Sequence, residues 1–500
     1  MGPVTTMDGS AERTATTLRL PAEVRETHSG IVVLAGDLAC KVKKPVDLGF
    51  LDFRSEAARH RACRRELELN RRLAPDVYLD VLALRGSDGR VVEHAVLMRR
   101  MPDALRLSEL VTQGADVDDH LRALARVVAA FHATARRGPR IAVEGRARAL
   151  RRRWSANIAE TVEFRGTVLE PSVHDEIAAR ALSYVDGRAA LLSERATGGL
   201  VVDGHGDLIA EDVFCLPDHP RILDCLEFDD RLRYVDVLDD IAFLAMDLER
   251  LGRPELGERL LAYYAEFSGT PQPPSLAHHY VAYRAYVRAK VACIRTAQGA
   301  ASSADEARAL ADLTLRHLRA GEVSLVLVGG APGTGKTTLS AALADRIGGV
   351  LLTSDNVRCE LPLGPGEDRY SDAAKAETYR ELLRRSRLAL ARGESVVADA
   401  TWATTTTREA AATVARITRS RLVALECRLP RSVAAARAQR RLDAHAAASE
   451  AGAEVALRLA TQRDPWPAAT GIDTAETGPA LDAALLAVAP RPIAPGRDAL

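Results

Sequence analysis

Lysine is nearly absent from this chain of 500 residues, occurring only at positions 41, 43, 44, 290, 336 and 375. Arginine carries almost all of the positive charge, so a surviving lysine marks a place where a compact ammonium serves and a planar guanidinium does not. An excess of either sign is missing too: Lys plus Arg and Asp plus Glu number 68 each. That balance gives no basis for a surface that coats nucleic acid. Aromatic residues make up 4%, too few for the stacking platforms of single-strand binders. No apolar run approaches the roughly 18 residues that span a bilayer, and Met1 to His28 lacks the apolar core of a signal peptide. The seven cysteines lie far apart with no CxxC pair, which argues against a disulfide framework or a zinc site. A cytoplasmic protein with no membrane partner and no nucleic-acid partner is expected. Oligomeric state leaves no trace in the sequence.

What is present is globular composition, 47% hydrophobic and 27% charged, in a chain long enough for roughly two to four domains. Residues 1–25 read as a flexible arm. Ile31–Leu34 and Leu38–Val42 flank a Gly-Asp turn at 36–37 and predict a hairpin. Residues 55–74 have helical leucine spacing stopped by Pro75, and Val91–Met98 reads as a strand. Long Ala/Arg/Leu helices follow over 105–200, short apolar runs ending in acids over 200–250, and helices again over 255–318. After a break at Ala320-Gly321-Glu322, strand and helix alternate from 323 to 441, which predicts a doubly wound parallel sheet. The expected organisation is an α+β domain over 26–320 with a large helical lobe, an α/β P-loop domain over 321–490, and a tail over 491–500.

Gly330-Ala331-Pro332-Gly333-Thr334-Gly335-Lys336-Thr337 matches G-x-x-x-x-G-K-[ST] and sits between a buried strand and a helix, with Thr338 next. Glycines let backbone amides curl round phosphate oxygens, and the helix N-terminus adds positive charge. Lys336 reaches the β- and γ-phosphates, and Thr337 offers a hydroxyl to Mg²⁺. Asp355, after the next strand, is placed to take a proton from an acceptor hydroxyl, with Arg358 one turn on to hold the acceptor. A helix N-cap is the alternative role for Asp355. Asp399 ends another buried strand as a candidate metal or water-positioning residue. Arg437, Arg440 and Arg441 share a helix and either close over the phosphates or form a solvated face.

Gly329–Thr338, Ser-Asp-x-x-Arg (354–358) and Asp-Ala-Thr (399–401) resemble the P-loop kinases grouped with zeta toxins, polynucleotide 5′-kinases and gluconate kinases. The resemblance implies phosphoryl transfer, with Asp355 as general base, Arg358 on the acceptor and the arginines Arg437 and Arg440 as a nucleotide lid.

A second phosphate chemistry is written in the first half. His205-Gly206-Asp207, Asp212 and Asp224 supply one acid near an acceptor hydroxyl and two oxygen ligands for metal. Lys41, on a strand, and Glu66, on the next helix, supply the phosphate lysine and its partner. Lys43 competes for that role, because strand alternation puts it on the same face as Lys41. Asp240 reads as a cap on the following helix, and Arg284 with Arg288 either meets an anionic acceptor or forms a solvated basic face, the second being favoured.

Lys43–Phe53, Leu69–Pro75, Gly204–Leu208, Leu223–Phe228 and Asp240–Leu248 resemble the aminoglycoside phosphotransferase family, which shares the protein-kinase-like fold. The whole chain is similar to two-domain bacterial proteins that join such a domain to a P-loop kinase. That pattern has asparagine where Asp212 stands and histidine where Ile209 stands, and the extra negative charge predicts a weakened first site. The resemblance implies an ATP- and Mg²⁺-dependent phosphotransferase acting on a small-molecule hydroxyl, with ATP versus GTP left open. The alternative is a nucleotide-binding regulatory switch with a pseudokinase half.

Overall fold

The computed structural model describes residues 22–26, 30–46, 52–270, 272–300, 302–362, 368–369, 371–443, 453–454, 457 and 461–489. Positions 1–21 of the expected arm, residues 47–51 of the Lys43–Phe53 stretch and the tail 491–500 lie outside them. The chain forms two compact units, Met1–Gly145 with Arg195–Pro271, and Arg146–Glu194 with Gln272–Leu500. This spatial division differs from a single sequence boundary at 320, because helices between 146 and 194 and between 274 and 320 group with the P-loop sheet.

In the first unit, β1 (Ala22–Glu26), β2 (Gly30–Ala35), β3 (Leu38–Lys43), β4 (Tyr78–Arg85) and β5 (Val91–Arg99) form an antiparallel sheet ordered β1-β2-β3-β5-β4. The expected hairpin is β2–β3, turning at Gly36, whose φ of 59° suits a residue without Cβ. β1 is exposed along its whole length. It is held by backbone pairing to β2, so it has no apolar alternation to betray it in the sequence. The helix Glu56–Asn70 starts at Ser55, whose hydroxyl accepts the Ala58 N–H. It buries Arg59, Cys63, Glu66 and Leu69, a spacing of three and four that lines one face. Cys63 joins Leu34, Ala39, Tyr78, Val96 and Met98 in the core beneath the sheet.

Two short ribbons follow. β6 (Val201–Asp203) pairs with β9 (Tyr234–Asp236), and β7 (Val213–Cys215) pairs with β8 (Pro220–Ile222). Beyond β9 runs the buried helix Val237–Arg250, capped by Asp236 rather than by Asp240.

In the second unit, β10 (Ser324–Gly329), β11 (Val350–Thr353), β12 (Val396–Asp399), β13 (Arg421–Arg428) and β14 (Thr470–Asp473) form a parallel sheet ordered β11-β12-β10-β13-β14. The fold class is therefore α/β, as the alternation predicted. β10 is buried throughout, the mark of a central parallel strand covered on both faces. Sequence reading missed one short helix here, Ser354–Glu360. Arg284 is buried over the Tyr283 ring, not displayed on a solvated face. Among the described residues, no helix is long and apolar enough to cross a membrane.

Candidate functional site

The P-loop begins where β10 ends. Gly330, Gly333 and Gly335 have φ of 147°, 79° and 85°, a backbone that residues with a Cβ rarely adopt. At Gly333 a Cβ would also overlap the Ala434 carbonyl. Gly335 caps the helix Lys336–Ile347, and Thr474 Oγ1 donates to the Thr334 carbonyl at 2.6 Å, tying the loop to the end of β14. Lys336 Nζ donates to the Ala331 carbonyl at 3.0 Å. Among the described residues no carboxylate pairs with it, and burial holds its ammonium below the usual lysine range against the pull of Asp399. A cation kept in this state suits a polyanion.

Strand pairing brings the candidate metal ligands together. Val328 at the end of β10 lies opposite Asp399 at the end of β12, and Thr337 Oγ1 donates to Asp399 Oδ2 at 2.7 Å. Hydroxyl and carboxylate oxygen side by side are a hard-oxygen donor set that fits Mg²⁺. Asp355 lies in the first turn of Ser354–Glu360 and bonds Arg358 at 2.6 Å. The N-cap role belongs instead to Thr353, which accepts the Asn356 N–H. Arg437 donates to the carbonyls of Thr474 and Ala475, and Arg440 is exposed.

Sequence reasoning missed Arg463, which donates to the Thr401 carbonyl at 2.8 Å and reaches Glu426 at 3.4 Å. It also missed Tyr379, whose hydroxyl accepts the Trp402 N–H at 3.1 Å and bonds Thr401 at 3.0 Å. Both brace the Asp-Ala-Thr segment from distant points in the chain, so no local spacing announces them.

In the first unit Glu66 is wholly buried and binds two lysines, Lys41 at 3.0 Å and Lys43 at 2.6 Å. Alternation along β3 does put both ammoniums on one face. Lys41 continues to Asp224 at 2.5 Å, whereas Lys43 is 2% exposed and turns to Glu227 at 2.5 Å. Lys41 is thus the one beside the candidate metal ligand.

The β7–β8 hairpin brings Asp212 and Asp224 to its two ends, closed by the Leu223 N–H on the Asp212 carbonyl at 2.9 Å. Asp224 sits at φ 61°, a costly backbone for a residue with a Cβ. Burial opposes its ionisation, but Lys41 together with Lys43 and His205 outweighs it and holds the carboxyl below the usual range. Asp212 is displaced the other way, well upward, by burial and then by Asp224 and Asp207. Three acids whose charges oppose one another call for a divalent cation by their donor chemistry, although their oxygens do not all lie within 4.8 Å of each other.

The loop carrying Asp207 is braced from behind. Asp240 accepts the His205 N–H at 2.7 Å, the Gly206 N–H at 2.8 Å and His132 Nε2 at 3.0 Å. Burial opposes its ionisation, but those donors keep the carboxyl far below its ordinary value. Asp240 therefore shapes the loop, a role that replaces the expected helix cap. His205 Nε2 donates to the Leu223 carbonyl at 3.0 Å, leaving Nδ1 to accept the Asp207 N–H at 3.4 Å. That pattern needs a neutral ring, which burial enforces. Arg72 grips the Asp203 and Gly204 carbonyls at 2.9 Å, and Asn70 accepts the Cys225 N–H at 2.8 Å.

The glycine-shaped loop, its lysine and the parallel strand order define a P-loop nucleotide-binding domain. A family profile described as an AAA domain matches residues 325–465. Over nearly its full length the chain is 43% identical to the uncharacterized protein Rv2004c of Mycobacterium tuberculosis (strain ATCC 25618 / H37Rv), across 479 residues that cover 94% of this chain and 96% of the relative. The chain belongs to that protein's family. Among solved structures, it is similar to a choline/ethanolamine kinase family protein from Mesorhizobium loti at 16% identity and TM-score 0.39, covering 60% of this chain and 93% of the other. It is also similar to a gluconokinase from Sinorhizobium meliloti 1021 at 16% identity and TM-score 0.25, covering 33% and 93%. The fold class stands on the strand order and loop geometry themselves.

Proposed function

We propose that the protein is a cytoplasmic, ATP-dependent phosphotransferase with two nucleotide sites, in which the P-loop unit is a working kinase for a small hydroxyl compound. The observation that carries the reading is the Thr337–Asp399 contact at 2.7 Å beside Lys336, a cation without a carboxylate partner. Lys336 and the loop amides hold the polyphosphate. Asp355, once Arg358 turns to the acceptor, takes the proton from the acceptor hydroxyl. The hydroxyl oxygen then bonds the γ-phosphorus as the bond from that phosphorus to the ADP oxygen breaks. Mg²⁺ held by Thr337 and Asp399 would neutralise charge on the transferring group. A cavity of about 410 Å³ lined by Arg358, Asp368, Arg369, Ser371, Glu377 and Thr378 is the acceptor space.

In the first unit, Asp207 would serve as base, Asp212 and Asp224 as metal ligands, and Lys41 with Glu66 as the phosphate grip. One observation favours a second reading. Lys41 bonds Glu66 and Asp224 together, so the phosphate lysine and a metal ligand neutralise each other, as in a pseudokinase that acts as a nucleotide switch.

ATP turnover and nucleotide stoichiometry, measured with Mg²⁺ on wild type, Lys336→Ala and Asp207→Asn against pooled hydroxyl metabolites, separate the two. Acceptor-stimulated turnover lost only in Lys336→Ala makes the P-loop unit the kinase and the first unit a regulator. Two bound nucleotides without stimulated turnover would overturn the kinase reading in favour of the switch.

A further inference from the structure

The second unit holds a cavity of about 420 Å³ whose lining contains no P-loop residue. Its walls come from the helices Pro171–Gly187 and Pro274–Ala297, from the end of Ser303–Ala320 and from the turn before β13. Gly187 makes the close approach possible, because a Cβ there would overlap the Thr418 carbonyl.

The next residue, Arg188, is 0% exposed and lines the cavity. Among the described residues, no carboxylate accompanies it. Nη1 donates to the Thr418 carbonyl, Nη2 reaches Ser420 Oγ only at 3.4 Å, and the guanidinium lies 5.3 Å from the Tyr184 ring centre. Nε–H has no acceptor among the described residues. Burial without a counter-charge pushes this guanidinium down to about 10. A buried cation held by one firm neutral bond is a costly arrangement for a fold to keep unless an anion completes it.

A second orphan donor lines the same space. His279 is 1% exposed, and its Nε2 accepts the Trp154 indole N–H at 3.0 Å. The ring proton is thereby placed on Nδ1, which also has no acceptor among the described residues. Burial, with Arg188 adding to it, holds the ring down to about 3, so the group is a neutral donor. Tyr184 stacks on His279 with centroids 4.3 Å apart. Its hydroxyl bonds Ser275 at 3.0 Å, and Ser275 in turn donates to the Gly393 carbonyl at 2.7 Å, fixing the wall. Arg416 and Arg419 stand exposed at the rim with no acidic partner among the described residues. Arg180 and Arg421 share Glu322, the one acid in the lining.

We propose that this cavity is a binding site for a small phosphate-bearing organic anion, with Arg188 Nε–H and His279 Nδ1–H as buried donors and Arg416 and Arg419 at its entrance. Arg188, Arg416 and Arg419, which have no acidic partner among the described residues, suit a dianion better than a single carboxylate. The volume exceeds that of a lone phosphate and falls in the range of small-ligand sites. Leu318, Val323 and the Tyr184 face supply apolar wall for the organic part.

The test is isothermal titration of the full chain at constant ionic strength, with both nucleotide sites saturated by Mg²⁺ and a non-hydrolysable ATP analogue. The probes are ribose 5-phosphate, inorganic phosphate and citrate. Ribose 5-phosphate is expected to bind saturably at one site, more tightly than phosphate and at least tenfold more tightly than citrate. In Arg416→Glu/Arg419→Glu that binding should weaken tenfold or more while affinity for the ATP analogue is unchanged. Arg188→Leu should abolish it; if that variant does not fold, the rim variant decides. Absence of saturable binding by every probe, citrate binding as well as ribose 5-phosphate, or unchanged binding in the rim variant would each overturn the assignment.

Discussion

Replacing Glu66 by glutamine probes the first unit at its most buried ionic point. Glu66 is fully enclosed and uses one carboxylate oxygen for each lysine, at 3.0 and 2.6 Å. At an effective dielectric near 20, each contact is worth about 6 kcal/mol of bare attraction. Most of that is offset by the cost of stripping water from three charges. Glutamine keeps the shape but has a single acceptor oxygen, so one ammonium must face an amide N–H₂. Both lysines keep a second acid, Asp224 for Lys41 and Glu227 for Lys43. The loss should therefore fall at the lower end of the range for breaking a buried pair, about 3 kcal/mol. For a unit of this size that lowers the melting temperature by about 6–12 °C. Trp154, Trp402 and Trp466 all belong to the other unit, so calorimetry or far-ultraviolet circular dichroism must follow the transition. A drop of less than about 2 °C would refute the view that Glu66 neutralises both lysines.

Gly333→Ala should abolish nucleotide binding by the P-loop, since the new methyl meets the Ala434 carbonyl at a left-handed φ; equilibrium binding of a labelled ATP analogue should show one fewer bound nucleotide per chain than wild type. His279, held near 3 by burial and then Arg188, contributes stability that is complete above its unfolded value of 6.5 and is lost as pH falls from there toward 3. The total is up to about 5 kcal/mol, read by urea unfolding with tryptophan emission, and His279→Phe should flatten the profile. For Asp212 the sign reverses: burial and then the neighbouring acids raise its folded pKa above the ordinary 3.8, so metal-free protein loses stability as pH rises from that value. Asp212→Asn should therefore gain on wild type in EDTA as pH increases, and lose that advantage with Mg²⁺; equal pH profiles in EDTA would count against the charge cluster.

The P-loop was legible because its chemistry is local: one strand end, one run of glycines and one helix start carry it. Lys41 and Glu66 were legible by spacing, and the structure adds that Lys43 shares the same carboxylate. The strand–helix alternation from 323 to 441 was legible because parallel strands covered on both faces are continuous apolar runs, whereas β14, mostly exposed, has no such run. What stayed hidden depends on approach across the chain. The hold of Asp240 on residues 205 and 206, and of Arg463 on Thr401, needs segments tens of residues apart to meet. Arg188 and His279 look like ordinary residues of amphipathic helices until burial strips them of partners.

The polypeptide passes from one compact unit to the other at three places, near 145, 194 and 271. A single protease cut at any one of them leaves the halves tied by the other two, so they stay covalently joined until all three are cleaved. A fragment starting at 321 would carry the whole P-loop sheet yet lack Arg188, His279 and the helices that bear them. Swapping the nucleotide domain between relatives by a simple end-to-end splice would discard part of what that domain rests on.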